Sequence, residues 1–201
     1  MELKNLNYET IERDTENFNL SSNDSYIETY QEFIQYFKNI DKIEKHHLII
    51  STHFVYGWMP TIIHLNFKDI DKVLILLNSV KSGKLLNSDD LKILKECVNN
   101  SLVGLSKLLH FINPKVYAIW DSRIFRHLTD EKFSYGIDNT NTYLKYLDGI
   151  NKIIEHKDYR LLHNQIENQI KYKMEPMRVI ELIMFVADKN KRSQNKDLLP
   201  L

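Results

Sequence analysis

The sequence predicts an all-α fold, a single compact domain of about eight helices, on three observations. Apolar residues recur at three- and four-residue spacing along most of the chain, and no stretch alternates strictly between apolar and polar. Gly 5 and Pro 4 in 201 residues are too few for a turn-rich β-sandwich or a glycine-rich phosphate-binding fold. A hydrophobic share of 43% fills one sizeable core at this length.

The elements follow in order. Residues 1–22 are polar and weakly periodic, and read as a flexible acidic arm ahead of a domain over 23–192. "SSNDSYIETYQEFIQYFKNI" opens on capping residues and spaces Tyr26, Tyr30, Phe33 and Phe37 along one helical face. "KIEKHHLIISTHFVYGWMPTIIHL" is a long apolar helix, interrupted near Gly57 and Pro60. "DIDKVLILLNSV" is a helix that stops at Gly83. "NSDDLKILKECVNN" starts on Asn87 or Ser88, with Asp89 and Asp90 complementing the helix dipole.

In "SLVGLSKLLHFI", Leu105, Leu108, Leu109 and Ile112 form a core stripe, and Asn113-Pro114 ends the helix. Val116–Trp120 is the best extended candidate, and Asp121 caps "SRIFRHL". "NTYLKYLDGINKIIEH" and "KDYRLLHNQIENQI" are two further helices. "EPMRVIELIMFVADK" has Pro176 in its first turn and Ile180, Met184 and Ala187 as a core stripe, with Arg178 and Lys189 as solvated charges. Residues 193–201 read as a frayed tail, and no fixed-period repeat is present.

Charge and cysteine content narrow the function classes. Net charge is zero, whereas a dedicated duplex-binding protein carries a basic excess. Residues 1–30 hold seven acids against two bases, which leaves the remainder basic enough for one local patch. The single cysteine, Cys97, excludes an intrachain disulfide and lies in a helical pattern as a core thiol. The first residues lack the pattern of a secretory signal, and no apolar run reaches a membrane span, so the expected location is cytoplasmic. His46, His47 and His53 cluster in one helix without a metal motif, so neither metal nor cofactor is expected. "FVYGWMPT" reads as a core kink, with an aromatic pocket at Tyr56 and Trp58 as the other reading.

One stretch carries chemistry. Ser106, Lys107 and His110 fall opposite the core stripe of their helix, and Asp121 opens the next one after a short connection. The pattern predicts that Lys107 and Asp121 face one cleft, with Trp120 as a wall and Arg123, Arg126 and His127 along its edge. A desolvated lysine attacks a sugar carbon or forms a Schiff base. A carboxylate stabilises an oxocarbenium ion, and an aromatic ring stacks on an extruded base.

The same stretch resembles the signature of the helix-hairpin-helix DNA glycosylase superfamily, the 8-oxoguanine-glycosylase-like enzymes. "VGLSK", ending in Lys107, is similar to the hairpin pattern GVGxK, and "DSRIFR" is similar to DTHVxR, with Asp121 on the aspartate and Arg126 on the arginine. The string "SKLLHFINP…IWDSRI" also resembles one carried by a family of small bacterial proteins. The hairpin here has Gly104 where the pattern has two glycines, position 123 is Arg in place of His, and the interval from Lys107 to Asp121 is shorter. The resemblance implies an all-α glycosylase-like fold and a role in DNA repair. It makes Lys107 the nucleophile and Asp121 the charge-stabilising acid. Trp120, Tyr117, His110, Arg123 and Arg126 then contact a DNA or nucleotide partner. The alternative is a non-catalytic nucleic-acid-binding or protein-interaction module on the same scaffold.

Overall fold

The computed structural model of the chain describes residues 2–20, 25–58, 62–131 and 134–197. Among them lie ten helices and no strand: α1 (Tyr8–Glu16), α2 (Ser25–Lys38), α3 (Lys45–Trp58), α4 (Ile70–Lys81), α5 (Ser88–Cys97), α6 (Leu102–Ile112), α7 (Ser122–Thr129), α8 (Thr140–Ile154), α9 (Tyr159–Ile170) and α10 (Pro176–Asp197). Among the described residues the one sheet-like contact is an isolated antiparallel bridge between Leu65 and Val98. No described helix is long and apolar enough to cross a membrane.

The N-terminal segment corrects the expectation of a flexible arm. Asn7 caps α1 by accepting from the amide of Thr10 at 2.9 Å. Tyr8, Ile11 and Thr15 point inward, and Ile11 is fully buried. The Tyr8 ring stacks 3.7 Å from His156, and Gln169 donates to the carbonyl of Phe18 at 2.9 Å. The reason for Gly149 on α8 lies here, because any side chain there would collide with Leu6. A stripe of four buried residues, two of them polar, did not register in the sequence, but it docks against α9 and α10. At the other end α10 runs on to Asp197, beyond the start expected for the tail, and residues 198–201 lie outside the described part.

At the centre is α6, which packs against α2, α3, α4 and α5. Both of its faces are buried, not one. Gly104 lets α3 approach closely, since a Cβ there would strike the phenol of Tyr56. That tyrosine is buried in the core, and α3 runs unbroken through Gly57, while the Trp58 side chain and residues 59–61, where the interruption was expected, lie outside the described part. Cys97 is likewise buried, which pushes its thiol up from the usual range.

The connection between α5 and α6 is a tight turn through Asn99 and Asn100, at φ 55° and 49°. Asparagine is among the few residues that enter this left-handed region, and here the Asn99 side chain reaches a distant segment, donating to the carbonyl of Ile62 at 2.8 Å. Gly104 is therefore a packing residue inside a helix and not a hairpin glycine.

Between α6 and α7, residues 117–120 run through the core with neither helix nor strand partners. A buried backbone must still satisfy its carbonyls. His110 takes that of Tyr117 at 2.6 Å, Tyr143 that of Ala118 at 2.9 Å, Tyr146 that of Ile119 at 2.9 Å and Ser106 that of Trp120 at 3.0 Å. Side chains of α6 and α8 thus do what a neighbouring strand would do in a sheet.

Candidate functional site

Ser106 ties together the two segments that carry the predicted working residues. Its hydroxyl accepts from the Trp120 amide at 3.0 Å and lies 3.0 Å from the Trp120 carbonyl. Lys107 and Asp121, each one residue further along, are therefore held across the same junction. Asp121 caps α7, with Oδ1 accepting from the amides of Arg123 at 2.9 Å and Ile124 at 3.1 Å. Both side chains are partly buried.

The two charges lie within Coulombic reach of one another and of a second pair that the sequence reading missed. Burial pushes the Lys107 ammonium below its usual range, against the pull of Asp121 and Glu181, and Arg178 adds to the downward push. Arg178 and Glu181, both buried on α10, are joined in a short ion pair. The Arg178 guanidinium also lies 4.6 Å from the centroid of the Tyr30 ring. Burial pushes Glu181 up to about 7, with Arg178 pulling the other way. Beside Tyr30 opens a cleft of about 530 Å³, lined in part by Lys38, Tyr172, Lys173 and Glu175.

Arg178 was expected as a solvated charge, which the structure corrects. A signal was present, since "RVIELIMFV" sets Arg178 and Glu181 three residues apart in a run apolar all round. A helix with no polar face has nowhere to solvate a charge, so such charges pair internally.

Three predicted contact residues are sealed away, which corrects their assignment. Trp120, Tyr117 and His110 expose no surface. The indole N–H of Trp120 donates to Ile137 O at 2.8 Å, and the ring lies 4.8 Å from that of Tyr146. The Tyr117 hydroxyl accepts from Leu86 N at 3.0 Å and donates to Lys84 O at 2.8 Å. His110 bonds Tyr117 O through Nδ1, so that nitrogen carries its proton and Nε2 accepts from the Tyr30 hydroxyl at 2.8 Å. Burial pushes His110 down to about 3, so the ring stays neutral. None of the three presents a face to a base.

The two arginines are committed elsewhere. Arg126 grips the buried carboxylate of Asp188 with Nε at 3.2 Å and a terminal nitrogen at 2.7 Å. Arg123 lies 3.6 Å from the same carboxylate and 5.0 Å from the Phe185 ring, with about a third of its side chain exposed. Only Arg123 keeps an open face for a phosphate. The first turn of α6 is also engaged, because Asp138 accepts from Leu102 N at 2.8 Å and Ser101 from Gly104 N at 3.3 Å.

Among the described residues, one group of three metal-type ligands occurs, the exposed Glu44 and His46 with the half-buried His47 at the start of α3. His47 Nδ1 accepts from the amide of Glu44 at 3.1 Å, which ties up that lone pair. His53 Nδ1 instead lies 2.7 Å from the carbonyl of Ile49.

Compared with protein-family models, with curated proteins and with solved structures, the chain gives no match.

Proposed function

We propose that this chain acts on nucleic acid as a base-excision glycosylase-like enzyme, with Lys107 as nucleophile and Asp121 as the charge-stabilising carboxylate. One observation carries the reading. An ammonium lowered by burial stands across the Ser106–Trp120 junction from a helix-capping carboxylate, with a second buried acid within reach. Unprotonated, the Lys107 amine attacks the sugar C1′ as the glycosidic C–N bond breaks. The base leaves with the bonding pair and takes the proton that the attacking nitrogen sheds. The C1′–O4′ bond then opens, O4′ taking a proton from water, to leave the Schiff base that borohydride reduces. Asp121 faces the positive charge that develops on the sugar. With Trp120, Tyr117 and Tyr30 sealed, the aromatic residue left to meet a base is the half-buried Tyr172, on the wall of that cleft. Arg123 is the phosphate contact.

A second reading keeps the scaffold without the chemistry. It is favoured by the first-turn amides of α6, which would hold a DNA phosphate in a helix-hairpin-helix but here bond Asp138 and Ser101. Borohydride trapping on oligonucleotides with damaged bases separates the two. The proposed enzyme gives a covalent adduct that Lys107→Ala abolishes. No adduct, or one that survives the substitution, ends the enzymatic reading. Oligonucleotide affinity falling steeply with salt then distinguishes a nucleic-acid binder from a protein-interaction module.

A further inference from the structure

The ends of α2, α4 and α6 meet at one side of the molecule. Lys81 donates to the Phe37 carbonyl at 2.8 Å, Asn113 to that of Val80 at 2.9 Å, and Tyr117 to that of Lys84 at 2.8 Å. Asn78 accepts from Ile43 N and donates to Ile43 O, each at 2.8 Å. Residues 37–43, 78–86 and 113–117 are thereby held side by side. Together they carry five lysines, Lys38, Lys42, Lys81, Lys84 and Lys115, against one acid, Asp41.

In a chain of zero net charge this is a segregated positive field. Helix C-termini attract cations in their own right, but only within the last turn. Lys81 meets that demand through the Phe37 carbonyl, and Lys38 closes α2. Lys42, Lys84 and Lys115 are exposed and stand three or four residues past the ends of their helices. Among the described residues, none of these three pairs with a carboxylate, whereas Lys92, Lys152 and Lys157 do.

The lysine surface borders the cleft beside Tyr30, whose near wall includes Lys38 and Pro114. The far wall holds Tyr172, Glu175 and Glu167, with Lys173 paired to Glu167 at 2.6 Å. Charge across the cleft therefore runs from acidic to basic. A strand with its base against Tyr172 puts its phosphates on the lysine side. Protein interfaces are depleted in lysine, and a phosphate backbone is the partner that lysine neutralises.

We propose that Lys42, Lys84 and Lys115, with Lys38 at the cleft edge, bind the phosphate backbone of a nucleic-acid strand whose base enters the Tyr172 cleft. This rests on the nucleic-acid reading and supplies the phosphate surface it needs, since Arg123 is the one predicted phosphate contact with an open face.

Fluorescence anisotropy of a labelled single-stranded oligonucleotide, taken across a salt series, tests this. Lys42→Gln, Lys84→Gln and Lys115→Gln together should weaken binding at least about tenfold at low salt. The slope of log affinity against log salt should become shallower by about 2, three contacts at roughly 0.7 each. Removing the same charge by Lys92→Gln, Lys152→Gln and Lys157→Gln should leave the slope unchanged. Thermal unfolding of both triple variants should match wild type, because all six side chains are exposed. No oligonucleotide binding, an unchanged slope in the first variant, or equal losses in both overturns the proposal. Polyglutamate competing as well as the oligonucleotide at equal charge also overturns it, and makes the surface a site for an acidic protein. Borohydride trapping is scored separately. Lysine-dependent binding without an adduct ends the enzymatic reading alone, and an adduct with a lysine-independent slope ends this proposal alone.

Discussion

The Ser106 hydroxyl bonds the backbone of Trp120 at both its amide and its carbonyl, each at 3.0 Å. One side chain thereby sets the register of the α6–α7 connection. Ser106→Ala leaves a buried N–H and C=O without that partner, a cost of about 1–3 kcal/mol. Urea denaturation should show that loss. Borohydride trapping, if Lys107 and Asp121 work together, should fall as well, because their alignment passes through this contact.

Asp121 has a capping role and a charge, and the two separate experimentally. Asparagine caps a helix about as well as aspartate, so Asp121→Asn should change stability by less than about 0.5 kcal/mol, and Asp121→Ala should cost about 1 kcal/mol. A charge-stabilising role predicts that the asparagine variant traps on the order of a hundredfold more slowly. Equal trapping by wild type and Asp121→Asn would leave the residue as a cap alone.

Arg126 and Asp188 form a two-pronged ion pair between α7 and α10, and both side chains are largely buried. Removing Arg126 leaves the buried carboxylate only the longer, 3.6 Å contact with Arg123, so Arg126→Ala should cost toward the low end of about 3–5 kcal/mol. Lysine offers one donor point and no fork, so Arg126→Lys should recover only part of the loss in chemical denaturation. An exposed phosphate-binding arginine would show almost no stability effect.

The docked N-terminal helix makes a direct prediction. Ile11 is fully buried, so Ile11→Ala should destabilise the whole domain by about 2–5 kcal/mol. Gly149→Ala drives a methyl into Leu6 and should cost about 1–3 kcal/mol. Hydrogen exchange should find the α1 amides protected together with those of α10. A loose arm would exchange freely and be indifferent to both substitutions.

His110 links stability to acid. Burial pushes its pKa down to about 3 from an ordinary 6.5, so the unfolded chain binds more protons between those values. Its contribution is complete above the unfolded value and is lost as pH falls from about 6.5 toward 3. The loss amounts to roughly 5 kcal/mol at about 1.4 kcal/mol per pH unit. His110→Gln removes this titration, so the variant should lose less stability than wild type between pH 7 and pH 4.5. Parallel losses in urea unfolding would show that the ring is not held neutral.

Much of the helical framework was legible. Asn87 and Asp121 each cap a helix where the sequence placed a start, and Asn113-Pro114 ends α6 as expected. Caps and breaks are local chemistry, decided within three or four residues. The α1 stripe was missed because two of its four buried residues, Thr10 and Thr15, are polar and do not stand out against polar neighbours. The buried Asp14–His127 ion pair was invisible for another reason. Asp14 and His127 are 113 positions apart, and neither belongs to a motif.

The sequence by itself determined that the chain is helical, where most helices begin and end, and that a lysine and a carboxylate flank one break. Tertiary structure alone decided which polar residues are buried. Periodicity marks a face as apolar, but a polar face goes inside whenever distant residues supply its hydrogen bonds. Tyr30 and Tyr117 do so for His110, Trp120 for Ser106, and Glu181 for Arg178. Such partners are set by packing between helices, and desolvation is worth its cost only where they meet.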